Sequence, residues 1–318
     1  MTAARASWSD ERRLGGLRRF ALAITVLNVL GHTVLGFEQP WIVPFVVLAT
    51  AYSLEIALEA VDAWACGRSA RFLGGWRKLV HFLLPAHISG LAVGMLLYAN
   101  ERLWVMVFAT AVAITSKTLF RAPAGPAVPS GSPRPTRHFL NPSNFAVTVS
   151  LLLFPWLGGS APYQYVENVS GWWHLIVPAL VVATGSLVNG KFTGRMPLIV
   201  SWLAGFVAQA WVRSAIGGTP LGAGLAPMLG VGFVLYTFYM ITDPGTTPEQ
   251  PKSQAAFGAG VALMYGIIVQ SHHVFGIYYA LTIVSGIRGV WLLTRSWIPS
   301  GERAADLSAA RVAMPSSQ

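Results

Sequence analysis

Ten apolar segments, most of them close to 20 residues long, follow one another along this chain and leave it few folds to choose from. A helix of that length matches the roughly 30 Å hydrocarbon core of a bilayer, and inside hydrocarbon a helix satisfies all of its own backbone hydrogen bonds. The segments fall near 20–37, 41–65, 79–98, 103–120, 142–157, 173–188, 196–213, 222–241, 254–271 and 274–294. Composition agrees, with 54% of residues hydrophobic and 11% charged, against about 25% charged in a soluble domain. The expected fold class is an all-α polytopic membrane protein of about ten transmembrane helices. The fifth and sixth segments are short, and are expected to be tilted, broken or only partly inserted.

Lysine and arginine are sorted between alternate loops, which sets orientation under the positive-inside rule. One set of loops holds 20 of the 22 basic residues, from Arg5, Arg12, Arg13, Arg18 and Arg19 to Arg303 and Arg311; the other holds Arg102 and Arg213. Both termini are therefore expected in the cytoplasm, with the chain in the plasma membrane. A net charge of +10 arranged this way speaks for the lipid bilayer as partner and against nucleic acid. The first arginines run into an apolar stretch too long for a signal peptide, so the first helix is expected to stay. Cys66 is the only cysteine, which excludes an internal disulfide and any thiolate metal site built by this chain alone.

The division that follows has a cytoplasmic segment over 1–19, a five-helix half over 20–157, a second over 173–294 and a cytoplasmic tail over 295–318. An odd number of spans per half gives the two halves opposite topology. Within the first half, residues 121–137 are Pro/Gly/Ser-rich and basic, and are expected to form a mobile cytoplasmic loop.

Two polar turns interrupt the apolar pattern: His138-Phe-Leu-Asn141-Pro142-Ser-Asn144-Phe145 and Ile241-Thr242-Asp243-Pro244-Gly-Thr246-Thr247-Pro248. Each is expected to open a helix, because Asn, Thr and Asp before proline have N-capping side chains. Capping alone is one account of Asn141, Asn144, Thr242 and Asp243. The other is a site in which helix N-termini face an anionic ligand, assisted by Lys117 or Lys191, with Asp243 favouring a cation or a ring N–H.

Glu55, Glu59 and Asp62 share one face of the second segment. A carboxylate at membrane depth needs a partner or a watery cavity. The three form a cation or proton path with Glu55 deepest, or pair with Arg68, Arg71 or a neighbouring helix. His87 is a proton carrier, a cofactor neighbour or a satisfied interhelical histidine. His272 and His273 are adjacent and make a poor chelate, so no metal site is expected. The many Trp near segment ends form an aromatic belt, and no P-loop, nucleophile elbow or dinucleotide fingerprint occurs in a suitable context.

Ile88-Ser89-Gly90-Leu91, Asn141-Pro142-Ser-Asn144-Phe145, and Thr242-Asp243-Pro244-Gly-Thr-Thr247-Pro248 followed by Phe257-Gly258-Ala259-Gly260 together resemble the NqrB/RnfD family. The chain is similar in particular to a branch of that family, the UnbU-type membrane proteins of enediyne antibiotic biosynthesis. The resemblance implies a urea-transporter-like fold of two five-helix repeats, membrane electron transport coupled to sodium ions or protons, and a flavin, FMN or riboflavin. In the family FMN is joined to a Thr; the matching position is Thr219, preceded by Gly217, with Arg213, Ile216 and Gly218 standing where the motif has Asp, a hydroxyl residue and Ala. The expected role is a flavin-associated membrane redox component linked to enediyne biosynthesis, partnered by other membrane redox proteins or biosynthetic enzymes. A permease for a small molecule or product, and a membrane scaffold for enzymes, are the alternatives.

Overall fold

The computed structural model describes residues 2–124, 135–159 and 165–297, the first twelve of these by backbone alone. It is helical almost throughout: α1 (Thr2–Leu30), α2 (Val43–Ala65), α3 (Trp76–Leu96), α4 (Leu103–Leu119), α5 (Pro142–Leu153), α6 (Trp173–Val188), α7 (Met196–Gly217), α8 (Leu221–Leu225), α9 (Val231–Leu235), α10 (Pro251–Gln270) and α11 (Gly276–Trp297). Four short strands are added: β1 (Leu97–Tyr98) pairs antiparallel with β4 (Gly158–Gly159), and β2 (Arg121–Pro123) with β3 (Thr136–His138).

Among the described residues, seven helices are long and apolar enough to cross a membrane, and an eighth is added when α8 and α9 are taken as one span bent by 69°. Helices α4 and α5 are apolar but shorter, at 17 and 12 residues. The protein is therefore embedded in a membrane by apolar helices that leave Trp64, Trp211 and Leu263 facing outward. The expected break falls elsewhere: the sixth segment runs on through a π-helical turn, Asn189–Thr193, into a continuous span, and the eighth is bent at Gly230. Gly230 supplies the extended residue that separates the two short helices.

Prolines stand in the first turn of α2, α5, α7 and α10, where a missing N–H breaks no hydrogen bond. Helices α1 and α6 end alike. Each widens into five π-helical residues, Gly31–Leu35 and Asn189–Thr193, closed by a left-handed glycine, Gly36 or Gly194, whose N–H returns to the first carbonyl of the turn. A residue with a Cβ is strained there.

Each half has its own core. Val47, Leu91, Met106 and Val147 lead one cluster over α2 to α5; Trp202, Phe206, Tyr236 and Val261 lead another over α7 to α11. Leu96 and Tyr278 pack against both. Close approach of α7 and α10 depends on Gly258, where a Cβ would lie 2.6 Å from the Leu198 carbonyl oxygen. The Pro-rich loop is ordered at its edges, since β2 and β3 pair and Ala122 is buried against Phe139. Residues 125–134 with Arg134, the tail 298–318 with Arg303 and Arg311, and the side chains of Arg5, Arg12 and Arg13 lie outside the described residues.

Candidate functional site at the basic end of the bundle

The two polar turns meet. Asn141 is the N-cap of α5, in extended conformation, and its Oδ1 accepts from the Asn144 backbone N–H (3.1 Å) and the Ser143 hydroxyl (3.0 Å). Its Nδ2 donates across to the Met240 carbonyl (3.1 Å), at the end of the bent span. Next to this, a Cβ on Gly245 would sit 3.1 Å from His138 Nε2, and Arg137 pairs with Glu249 at 3.1 Å. Both turns therefore belong to one surface of the protein, contributed by α5, α9 and the approach to α10.

The second turn does not open a helix. Asp243 closes a turn on itself: Oδ1 accepts from the Gly245 N–H (2.9 Å), Oδ2 from the Thr246 hydroxyl (3.1 Å), and its carbonyl from the Thr247 hydroxyl (2.7 Å). Helix α10 starts seven residues after Pro244, at Pro251, with Gln250 before it and no side-chain cap. Thr242 bonds back to the Phe238 carbonyl (2.7 Å) and caps nothing. Asn144 likewise lies inside α5 and reaches α11, donating from Nδ2 to the Tyr278 carbonyl (3.0 Å) and to Thr282 Oγ1 (2.8 Å). Its Oδ1 is buried without a hydrogen-bond partner among the described residues, as is the Ser285 hydroxyl one turn along α11. A buried acceptor left open costs about 1–3 kcal/mol, so Asn144 is ready for a donor that the fold does not supply.

The cations at this site are arginines. Arg195, which follows the left-handed Gly194 and heads α7, donates from Nε to Thr247 Oγ1 (3.0 Å) and reaches the Pro244 carbonyl (3.5 Å). Arg288 of α11 donates to the Thr246 carbonyl (2.8 Å). Burial lowers the Arg195 pKa from its usual value, Glu249 and Asp243 counter the shift and Arg137 adds to it; a guanidinium stays protonated through such shifts. Neither arginine stood out in the sequence, because the basic loops hold so many that position alone does not single out two. Lys117 is committed instead to Glu55 (2.6 Å), inside the packing of α2 and α4, and Lys191 is exposed.

Glu59 is buried and saturated, accepting from Arg68 Nη1 (2.6 Å), the Arg71 backbone (2.7 Å) and Arg71 Nε (2.7 Å); Asp62 shares Arg68. Those two carboxylates thus pin the link between α2 and α3. One turn and two turns deeper on the same face of α2 come Glu55 with Lys117, and Tyr52, whose hydroxyl lies 2.6 Å from His87 Nδ1. His87 Nε2 lies 2.7 Å from Thr25 Oγ1, whose proton goes to the Ala21 carbonyl. Both ring nitrogens are therefore satisfied with Tyr52 as donor and Thr25 as acceptor, which places the histidine proton on Nε2.

Thr219 and Gly217 lie at the far end. Gly217 ends α7 and Thr219 comes just after it, so the helix's 22 residues separate them by about 33 Å from Arg195. Gly218 takes the left-handed conformation and Thr219 is half-buried ahead of α8. One small ligand cannot touch both Thr219 and the meeting turns. No family model and no curated protein matches the chain.

Proposed function

We propose that the protein is a membrane electron-transfer component of the NqrB/RnfD type, holding flavin noncovalently where the two polar turns meet. The observation that carries this reading is the meeting of the two turns, where Asn141 donates to the Met240 carbonyl, together with the buried, open acceptor Asn144 Oδ1 in the first turn of α5. That acceptor fits a ring N–H of riboflavin or FMN, while Arg195 braces the Asp243 turn through Thr247. Flavin, when bound, supplies one- and two-electron transfer. The chain's part is to hold the ring by Asn144, keep water out with α5 and α11, and brace the Asp243 turn. An accompanying ion path along Glu55 and Glu59, on the one face of α2 that carries carboxylates, requires their pairs with Lys117, Arg68 and Arg71 to open during transfer.

Covalent FMN at Thr219 is supported less well, since Arg213, Ile216 and Gly218 all depart from the attachment motif. The ten helices are read as two inverted five-helix repeats. The matched π-turns with Gly36 and Gly194 support this, as does the corresponding packing of α2 with α4 and α7 with α10. Both termini are placed in the cytoplasm of a plasma-membrane protein, beside other membrane redox proteins or the enzymes of enediyne biosynthesis. The bent span at Gly230 favours a second reading, a permease, because discontinuous helices line solute paths in transporters.

Absorption spectroscopy of detergent-purified protein tests the first reading. Flavin absorbance that is released on denaturation and lost in Asn144→Ala is expected, with no mass shift at Thr219. Flavin-free protein that moves solute into liposomes would establish the permease; a mass shift abolished by Thr219→Ala would move the flavin to the other end.

A further inference from the structure

Three ionised side chains are buried among the described residues: Glu59, Lys117 and Arg195. Glu59 has two arginines and Lys117 has Glu55, as burial of charge demands. Arg195 has no carboxylate within ion-pair distance among the described residues. Its bonds go to a hydroxyl and a carbonyl, both neutral; Glu249 and Asp243 act on it only at longer range, the first paired with Arg137 and the second with both oxygens engaged within its own turn. Arg288 repeats the pattern from α11, half-buried and bonded among the described residues only to the Thr246 carbonyl. The two guanidiniums hold consecutive residues of one turn and lie within electrostatic range of each other.

A guanidinium has five N–H donors. Arg195 commits two groups and Arg288 one, so both keep donors free. Glu249 lies within electrostatic range of both arginines and Asp243 of Arg195, but Arg137 offsets one of these carboxylates, so the cluster keeps a net positive charge that an anion would balance. Planar forks of this kind match the oxygens of phosphate or carboxylate.

From this we infer that Arg195 and Arg288, braced by the Asp243–Thr247 turn, form an oxyanion site for a phosphate group. The inference does not depend on flavin: the phosphate can belong to a soluble phosphate ester, FMN included, or to a lipid headgroup. The unreacted ligand is held by charge and hydrogen bonds, with no covalent step.

Inorganic phosphate is the first probe. Isothermal titration of the purified protein at constant ionic strength should give saturable binding, and Arg288→Gln should weaken it about tenfold, the effect of losing one charge-assisted contact. Arg213→Gln, which removes a cation at the opposite end of the bundle, should leave it unchanged. The wild-type titration needs no variant to fold: absence of saturable heat overturns the site, as does equal binding by Arg288→Gln. Two further arms identify the source. Tighter binding of FMN than of riboflavin, with the difference erased in Arg288→Gln, assigns a soluble phosphate ester. Stabilisation by phosphatidylglycerol over phosphatidylcholine bicelles, lost in the same variant, assigns a headgroup. Riboflavin that binds while phosphate does not would sink the oxyanion site and leave the flavin reading standing.

Discussion

Lys117 and Glu55 show what a single residue costs or contributes inside a membrane helix. The pair is short and largely buried, so removing one partner leaves an uncompensated charge. Lys117→Met is expected to destabilise by about 3–5 kcal/mol, whereas Lys117→Met with Glu55→Gln should come close to the parent, because the two desolvation penalties vanish together. Thermal unfolding in detergent checks both, and a double variant no more stable than the single one would show that the pair is not the relevant contact. At this scale the sequence was partly legible. The common face of Glu55, Glu59 and Asp62 follows from helical period, and so does the need for basic partners. Which base meets which acid does not: Arg68 and Arg71 both go to Glu59, which left Glu55 to a lysine on another helix. Asn141 was readable as a cap. The reach of Asn144 to Thr282 depends on a helix more than a hundred residues away.

Elements follow apolar length reliably, and their ends follow local chemistry less so. Asp243-Pro244 has the residues of a helix start, yet Asp243 satisfies its own turn, and the true start uses Pro251. Two Pro signals seven residues apart compete, and the one followed by the uninterrupted apolar run wins. The π-turns after α1 and α6 were invisible, because five residues at a slightly wider period leave no mark on hydropathy. Packing between elements is legible only where small residues cluster, as in Phe257-Gly258-Ala259-Gly260. The two glycines there differ: a Cβ on Gly258 meets the backbone of α7, while one on Gly260 meets Val284 at 3.7 Å, an ordinary contact. Gly258→Ala should therefore cost about 1–3 kcal/mol through overpacking of α7 and α10. Gly260→Ala should be neutral or slightly stabilising through helix propensity. Equal melting temperatures for the two variants would mean that α7 and α10 do not pack through Gly258.

For the whole molecule, the sorting of charge and the two ends of the bundle give one consistent arrangement. Arg68, Lys117, Arg137, Arg195 and Arg288 are tied into one end through contacts that join α2 to α4, and α5, α7 and α11 to the Asp243 turn. Arg213 is at the other, donating to Gln270. Whether α5 crosses the bilayer decides the topology, since its 12 helical residues span only about 18 Å. If it crosses, seven spans precede Thr219 and two precede Cys66, which puts the two positions on opposite sides. If it enters and leaves by the same face, they share a side. Cys66, exposed and the only cysteine, makes this measurable. In intact cells a membrane-impermeant maleimide should leave Cys66 unlabelled until the membrane is opened, and should label Thr219→Cys at once in a Cys66→Ser background. Labelling of Cys66 in intact cells would reverse the orientation read from the arginines. Labelling of both positions only after permeabilisation would make α5 a re-entrant segment, reduce the spans to nine, and remove the inverted repeat with it.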